Sequence, residues 1–219
     1  MTTLATISVT APPSQRLLRA CAAFGLGVRR AQSLSPPSWF KRAAGRLERN
    51  LARGDIALIT GRSGSGKSTI LREIQDRLSR ERRPFTRITP APAGTAVIDL
   101  VQGPLGEALA TLARVGLGDA TLLGRGADQL SEGERFRLSL AVALSMAGPE
   151  ATILCDEFTS GLDRTTARCV AMGVRRWATR AAARVICATS HDDVVPWLAP
   201  DLVARCDYRR IETAPGGGR

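Results

Sequence analysis

The sequence predicts an α/β fold, a mainly parallel sheet flanked by helices. Three observations carry this. Short apolar runs alternate with helix-length segments from residue 55 to about 206. The runs at Ile56–Ile59, Ala151–Cys155 and Arg184–Thr189 are nearly continuous in apolar residues, as strands buried on both faces are. A glycine-rich turn, Gly61–Thr69, joins the first of these runs to a helix.

The elements follow in order. Leu4–Val9 reads as an edge strand, broken by Ala11-Pro12-Pro13-Ser14. Gln15–Phe24 reads as a short helix, and Ser35-Pro36-Pro37-Ser38 is a second break. From Ser38 the spacing of Phe40, Ala44, Leu47 and Leu51 predicts a helix capped by Ser38. Asp55–Thr60 is a buried strand. The next helix places Ile70, Leu71, Ile74 and Leu78 on one face. Phe85–Thr89 and Ala96–Val101 are read as strands, the second ending at Gln102. Pro104–Val115 is a helix, Gly116–Gly126 a glycine-interrupted connection, and Ser131–Met146 a long helix stopped by Gly148-Pro149. Ala151–Cys155 is a strand ending in Asp156-Glu157. A helix over Thr165–Ala183, a strand over Arg184–Thr189 and a last strand over Leu202–Cys206 complete the series. The tail Ala214–Arg219 is glycine-rich and read as loose.

The turn has the form G-x-x-x-x-G-K-[ST]: Gly61, Arg62, Ser63, Gly64, Ser65, Gly66, Lys67, Ser68, Thr69. Glycines let backbone N–H groups turn inward around phosphate oxygens, where side chains would block the approach. The following helix start adds free N–H groups and partial positive charge. Lys67 reaches the terminal phosphates, and the Ser68 hydroxyl is placed for Mg²⁺. Strand C-terminal ends form the ligand crevice of such a sheet. Asp156 is therefore a candidate metal ligand and Glu157 a candidate to polarise an attacking water.

Hydrophobic residues make up 44% of the 219-residue chain but aromatics only 4%, so the core rests on Leu, Val, Ile and Ala. No apolar run approaches the roughly 20 residues of a membrane span. The start lacks a secretory pattern, and five dispersed cysteines without a C-x-x-C fit a reducing interior; a cytoplasmic protein is expected. The formal charge of +11 is concentrated early. Residues 1–53 carry nine basic groups against one acid, Glu48. That region is read as a basic extension, packed on the core and suited to nucleic acid or another anionic partner. Residues 54–210 form the main domain and 211–219 a flexible tail.

Taken together, the motifs resemble the ABC (ATP-binding cassette) ATPases. GRSGSGKST matches their Walker A motif and TILCDE their Walker B. Leu130-Ser131-Glu132-Gly133-Glu134 resembles the signature LSGGQ, Ser160-Gly161-Leu162-Asp163 the D-loop, and Thr189-Ser190-His191 the switch histidine. Gln102 falls where the Q-loop glutamine is expected. The resemblance covers about residues 51–206, in family order. It implies a P-loop NTPase fold with a reduced helical subdomain over 103–147, and Mg²⁺-dependent ATP hydrolysis. In roles it implies Glu157 as general base, His191 on the γ-phosphate, and Gln102 sensing Mg²⁺ or water, with Ser68, Gln102 and Asp156 around the metal. Ser131 and Gly133 would touch the γ-phosphate held by a second copy, and Asp163 would couple the two sites of a head-to-tail homodimer.

Departures from the pattern are specific. Glu132 and Glu134 replace a glycine and the glutamine of the signature, placing two carboxylates near ATP or beside Arg135 and Arg137. The family pattern implies strands near 38–53, where periodicity predicts a helix. Phe24, Trp39 and Phe40 are the candidates to stack on adenine. The short segment from Gln102 to Leu130 argues against docking on a transporter's membrane subunit, which stands as the alternative. TSHDDVVPWLAPDLV and DEFTSGLDRTTAR are similar to soluble ABC-type ATPases sometimes joined to acetyltransferase domains.

Overall fold

The computed structural model describes residues 6–9, 11–30, 38–148, 150–207 and 210–217. The chain divides into two compact units, residues 1–37 and 38–219. The first is a βαβ turn of chain: β1 (Thr6–Val9), α1 (Gln15–Ala23) and β2 (Gly27–Arg30), with the strands parallel and Thr6 opposite Gly27. Ser14 caps α1 by accepting from the Leu17 N–H. Leu4 and Ala5, read as part of the first strand, lie outside the described residues.

The second unit begins with α2 (Ser38–Arg49), so periodicity prevails over the strands implied by family pattern. The boundary between the two compact units falls before α2, at residue 37. Ala44 and Leu47 of α2 pack with Ile70, Ile74 and Leu78 of α3 (Lys67–Arg80). Each fully buried Leu or Ile there stabilises by about 1.5–3 kcal/mol. Glu48 of α2 is buried yet paired, with Arg77 at 3.6 Å and with Arg83. A buried carboxylate needs such partners.

The sheet is six-stranded in the order β4 (Phe85–Arg87), β5 (Thr152–Cys155), β6 (Arg184–Thr189), β3 (Ile56–Thr60), β7 (Leu202–Asp207), β8 (Arg210–Pro215). All neighbours are parallel except β8, which runs antiparallel to β7. Residues 211–215, read as part of a flexible tail, are therefore in a strand. Alternate residues of the central strands face opposite layers. Ala57, Ile59, Leu154 and Ile186 meet α2 and α3. Ile56, Leu58, Ile153 and Val185 meet the other layer, built from α5 (Leu105–Arg114), α6 (Glu132–Met146), α7 (Arg164–Ala181) and α8 (Val195–Leu198).

One expected strand is a helix. Residues Val97–Leu100 form α4, a single turn. The Val97 N–H donates to the Arg125 carbonyl at 2.9 Å and the Ile98 N–H to Leu123 at 3.2 Å, while Ala96 bridges Gly126. The loop over 123–126 thus claims the donors a sheet neighbour would need. No helix among the described residues is long and apolar enough to cross a membrane.

Candidate functional site

The site sits where three central strands end. In register, Thr60 of β3 lies opposite Thr189 of β6, and Cys155 of β5 opposite Cys187 of β6. The glycine loop, Asp156-Glu157 and His191 therefore leave the sheet side by side. The Phe158 N–H donates to Ala188 O at 2.8 Å, which ties the Glu157 turn to β6.

Gly61 leaves β3 at φ +144°, and a Cβ there would run into the Cys206 carbonyl oxygen of β7. Gly66, at φ +103°, opens α3. A Cβ on it would stand 2.6 Å from the Phe40 ring of α2. Phe40, itself stacked on Trp39 at 3.7 Å between centroids, thus lies against the loop backbone. Lys67 is buried and donates to the Gly61 and Arg62 carbonyls at 2.7 and 3.0 Å. Ser65 Oγ is buried without a partner. An orphaned hydroxyl, a cation and glycines that allow close backbone approach fit a phosphate group.

Ser68 Oγ donates to Asp156 Oδ1 at 3.2 Å, and the Glu157 N–H to the same oxygen at 3.1 Å. Serine hydroxyl and carboxylate are the oxygen ligands that Mg²⁺ takes. The second oxygen, Oδ2, faces Arg87 Nη2 of β4 at 3.9 Å. Arg87 is steadied by donating to Gln75 Oε1 of α3 at 3.1 Å. This cation was not legible, because only the strand order brings β4 beside β5. Glu157 holds φ +50° and Thr159 φ +62°, positions that cost L-residues energy and concentrate at working sites. Ser160 Oγ donates to Glu157 Oε2 at 2.8 Å, orienting the carboxylate toward a cleft of about 360 Å³ shared with Glu132 and Phe136. The His191 N–H donates to Thr189 Oγ1 at 3.1 Å, fixing the turn that presents the imidazole.

Gln102 is placed differently from its expected position at a strand end. It follows α4, and its N–H donates to Ser145 Oγ near the last turn of α6. The strand running toward Asp156 is β4, and Ile88–Ala91, which follow it, line a cleft with Asp156 and Ser139. Ser145 lies six residues beyond Ser139, about 9 Å along the helix. The structure thus brings Ser68 and Asp156 together and leaves Gln102 apart.

Ser131 and Gly133 open α6. Ser131 caps it, accepting from the Glu134 N–H, while Glu134 Oε2 accepts from the Ser131 N–H and hydroxyl, both at 2.8 Å. These two bonds, with the fields of Arg137 and Arg125, hold the Glu134 carboxyl below the ordinary range. Arg135 and Arg137 donate instead to the Leu130 and Gly133 carbonyls. The hydrogen bonds to Glu134 therefore come from the helix cap, and the neighbouring arginines act on it only through their charge. Gly133 abuts Leu162, and Asp163 caps α7 through Thr166, whose side chain and N–H depress its pKa. Arg164 binds Asp193 at 2.7 Å and lowers its pKa, linking the start of α7 to the turn after His191.

No family model matches the chain. Its sequence is 30% identical over 207 residues to the methionine import ATP-binding protein MetN 1 of Rhodococcus jostii, covering 77% of this chain and 60% of the relative. It is 33% identical over 135 residues to the aliphatic sulfonates import ATP-binding protein SsuB 2 of Nocardia farcinica, covering 55% of each. The chain thus spans a little over half the length of these relatives. A bacterial ABC transporter cassette solved as a dimer superposes with a TM-score of 0.62 at 21% identity, over 78% of this chain and 88% of that one. A dimeric post-hydrolysis cassette bound to ADP and Pi gives 0.61 at 21%, over the same shares. The chain has the ATP-binding cassette fold. Within this fold Gly61–Thr69 run from the end of β3 into α3, Asp156 and Glu157 follow β5, and Ser131 caps α6.

Proposed function

We propose that the cassette binds ATP and hydrolyses it to ADP and phosphate with Mg²⁺, and that two copies sandwich the nucleotide head to tail. The observation that carries this is the Ser68–Asp156 hydrogen bond, which joins the phosphate loop to the Walker B strand. Gly61–Thr69 cradle the phosphates, and Lys67 turns from the Gly61 and Arg62 carbonyls toward them. Ser68 and Asp156 hold Mg²⁺, which when bound neutralises charge on the transferring phosphoryl group. Glu157, braced by Ser160, accepts the proton of the attacking water, and His191 contacts the γ-phosphate. Ser131 and Gly133 of one copy face the phosphate held by the other. Glu134 competes for the Ser131 hydroxyl, so closure requires that hydroxyl to change partner. Asp163 links the two sites.

The cassette works apart from a membrane permease in this proposal, like the soluble ATPases its D-loop and switch regions resemble, and the basic residues before Gly54 serve an anionic partner. Support comes from the small helical layer: between Gly103 and Leu130 it holds only α5 and two short 3₁₀ turns. A second reading, the ATP-binding subunit of an importer, is favoured by the names of the relatives. Co-purification with a membrane protein separates the two. For the site itself, Lys67→Ala is expected to weaken ATP binding at least tenfold in a direct titration; unchanged affinity sinks the phosphate-loop assignment.

A further inference from the structure

Helix α7 contains five arginines and no acidic residue. Two are neutralised: Arg164 by Asp193 and Arg175 by Asp201, at 2.7 and 2.6 Å. Arg176 and Arg180 have no ion pair among the described residues. They sit four residues apart, about 6 Å along the axis, where like charges destabilise a helix. A third guanidinium joins them from another element. Gly173 lets the end of α5 approach so closely that a Cβ there would stand 2.5 Å from the Arg114 carbonyl oxygen. Arg114, Arg176, Arg180, Gly173 and the half-buried Trp177 together line a pocket of about 180 Å³. Nothing in the ATP site uses these residues. Three arginines therefore line one pocket beside an indole whose other side packs against the core, with no acidic residue among the described residues that line it, and the Arg114 guanidinium also donates to Thr111 Oγ1 at 3.2 Å.

We infer that this pocket binds a nucleotide unit of single-stranded nucleic acid, with a phosphate between the guanidiniums and a base on Trp177. Guanidiniums grip phosphate oxygens in a forked geometry. An aromatic face offers any base a sequence-independent stacking surface. A duplex would present phosphates but no free base to stack on the exposed part of the indole. The inference is independent of ATP hydrolysis, and it places a polyanion contact on the helical face of the main unit.

The test is fluorescence anisotropy of a labelled single-stranded oligonucleotide with the full chain, without nucleotide, across a salt series. R176Q/R180Q is expected to weaken binding at least tenfold and to flatten the slope of log K against log salt by about 0.7, the value for one lost phosphate contact on a single strand. W177L, at unchanged charge, is expected to weaken binding about fivefold or more while leaving the salt slope unchanged, the signature of a lost stacking partner. ATP binding and thermal unfolding of both variants check that the fold is intact. Oligonucleotide affinity and salt slope unchanged in R176Q/R180Q overturn the proposal. So does binding to anionic phospholipid vesicles, lost in the same variant, when no oligonucleotide binds.

Discussion

Replacing Arg87 by glutamine is expected to lower the Mg²⁺ concentration at which nucleotide binding saturates. The guanidinium stands 3.9 Å from Asp156 Oδ2, the oxygen left over after Ser68 and the Glu157 N–H take Oδ1. An arriving cation meets a carboxylate already partly neutralised. At an effective dielectric of 20 the bare attraction is about 4 kcal/mol. Both side chains keep about a third to a quarter of their exposure, so water screens most of that. Measured pairs of this kind are worth about 0.2–1 kcal/mol. Taking the upper end, R87Q gains about fivefold in metal affinity. Lysine at 87 retains the charge and stays near wild type. The assay is binding of a fluorescent ATP analogue titrated with Mg²⁺ on wild type, R87Q and R87K. An unchanged or higher half-saturation in R87Q refutes the competition between Arg87 and the metal.

Two glycines of the loop should respond differently to alanine. Gly64 has φ +77° and open space around it, so Gly64→Ala costs about 1–2 kcal/mol of backbone strain. Gly61 adds a collision with the Cys206 carbonyl, a backbone atom that cannot turn away, so Gly61→Ala costs about 2–4 kcal/mol. Urea unfolding separates them, and equal midpoints contradict the close approach of β7 to the loop. Acid should loosen the starts of α6 and α7. Glu134, Asp163 and Asp193 have depressed pKa values in the fold, so the unfolded chain binds their protons more readily. Their contribution is present above the ordinary carboxylate pKa of about 4 and drains as pH falls through the lower folded values. Thermal unfolding at pH 7 and 3.5 measures the loss, and Glu134→Gln should flatten part of it; an undiminished pH dependence in that variant removes Glu134 from the account.

The parallel sheet was legible because β3, β5 and β6 are buried on both faces and read as unbroken apolar runs. The loop was legible because its chemistry fixes its spacing. Val97–Leu100 misled for a physical reason: a short apolar run suits a strand or a buried helical turn, and the choice rested on the distant carbonyls of Leu123 and Arg125. With the strand gone, Gln102 follows a helical turn rather than a strand end. The β8 pairing was hidden because its hydrogen bonds depend on β7, a partner the local sequence does not name. Arg87 looked like one arginine among many until the sheet order set it beside Asp156. Glu134 was read as a charge that either weakens dimer closure or pairs with Arg135 or Arg137. Its engagement follows from the capping box S-x-x-E, a signal present in the sequence at Ser131–Glu134.

The central claim is that each nucleotide site is completed by a second copy of the chain. Its most direct test is the mass in solution of the Glu157→Gln variant with Mg²⁺ and ATP, by light scattering after size exclusion. The account predicts a dimer that retains ATP and reverts to monomer when Ser131 is also replaced by arginine. A variant that stays monomeric with ATP bound, or that hydrolyses ATP at the wild-type rate, contradicts it.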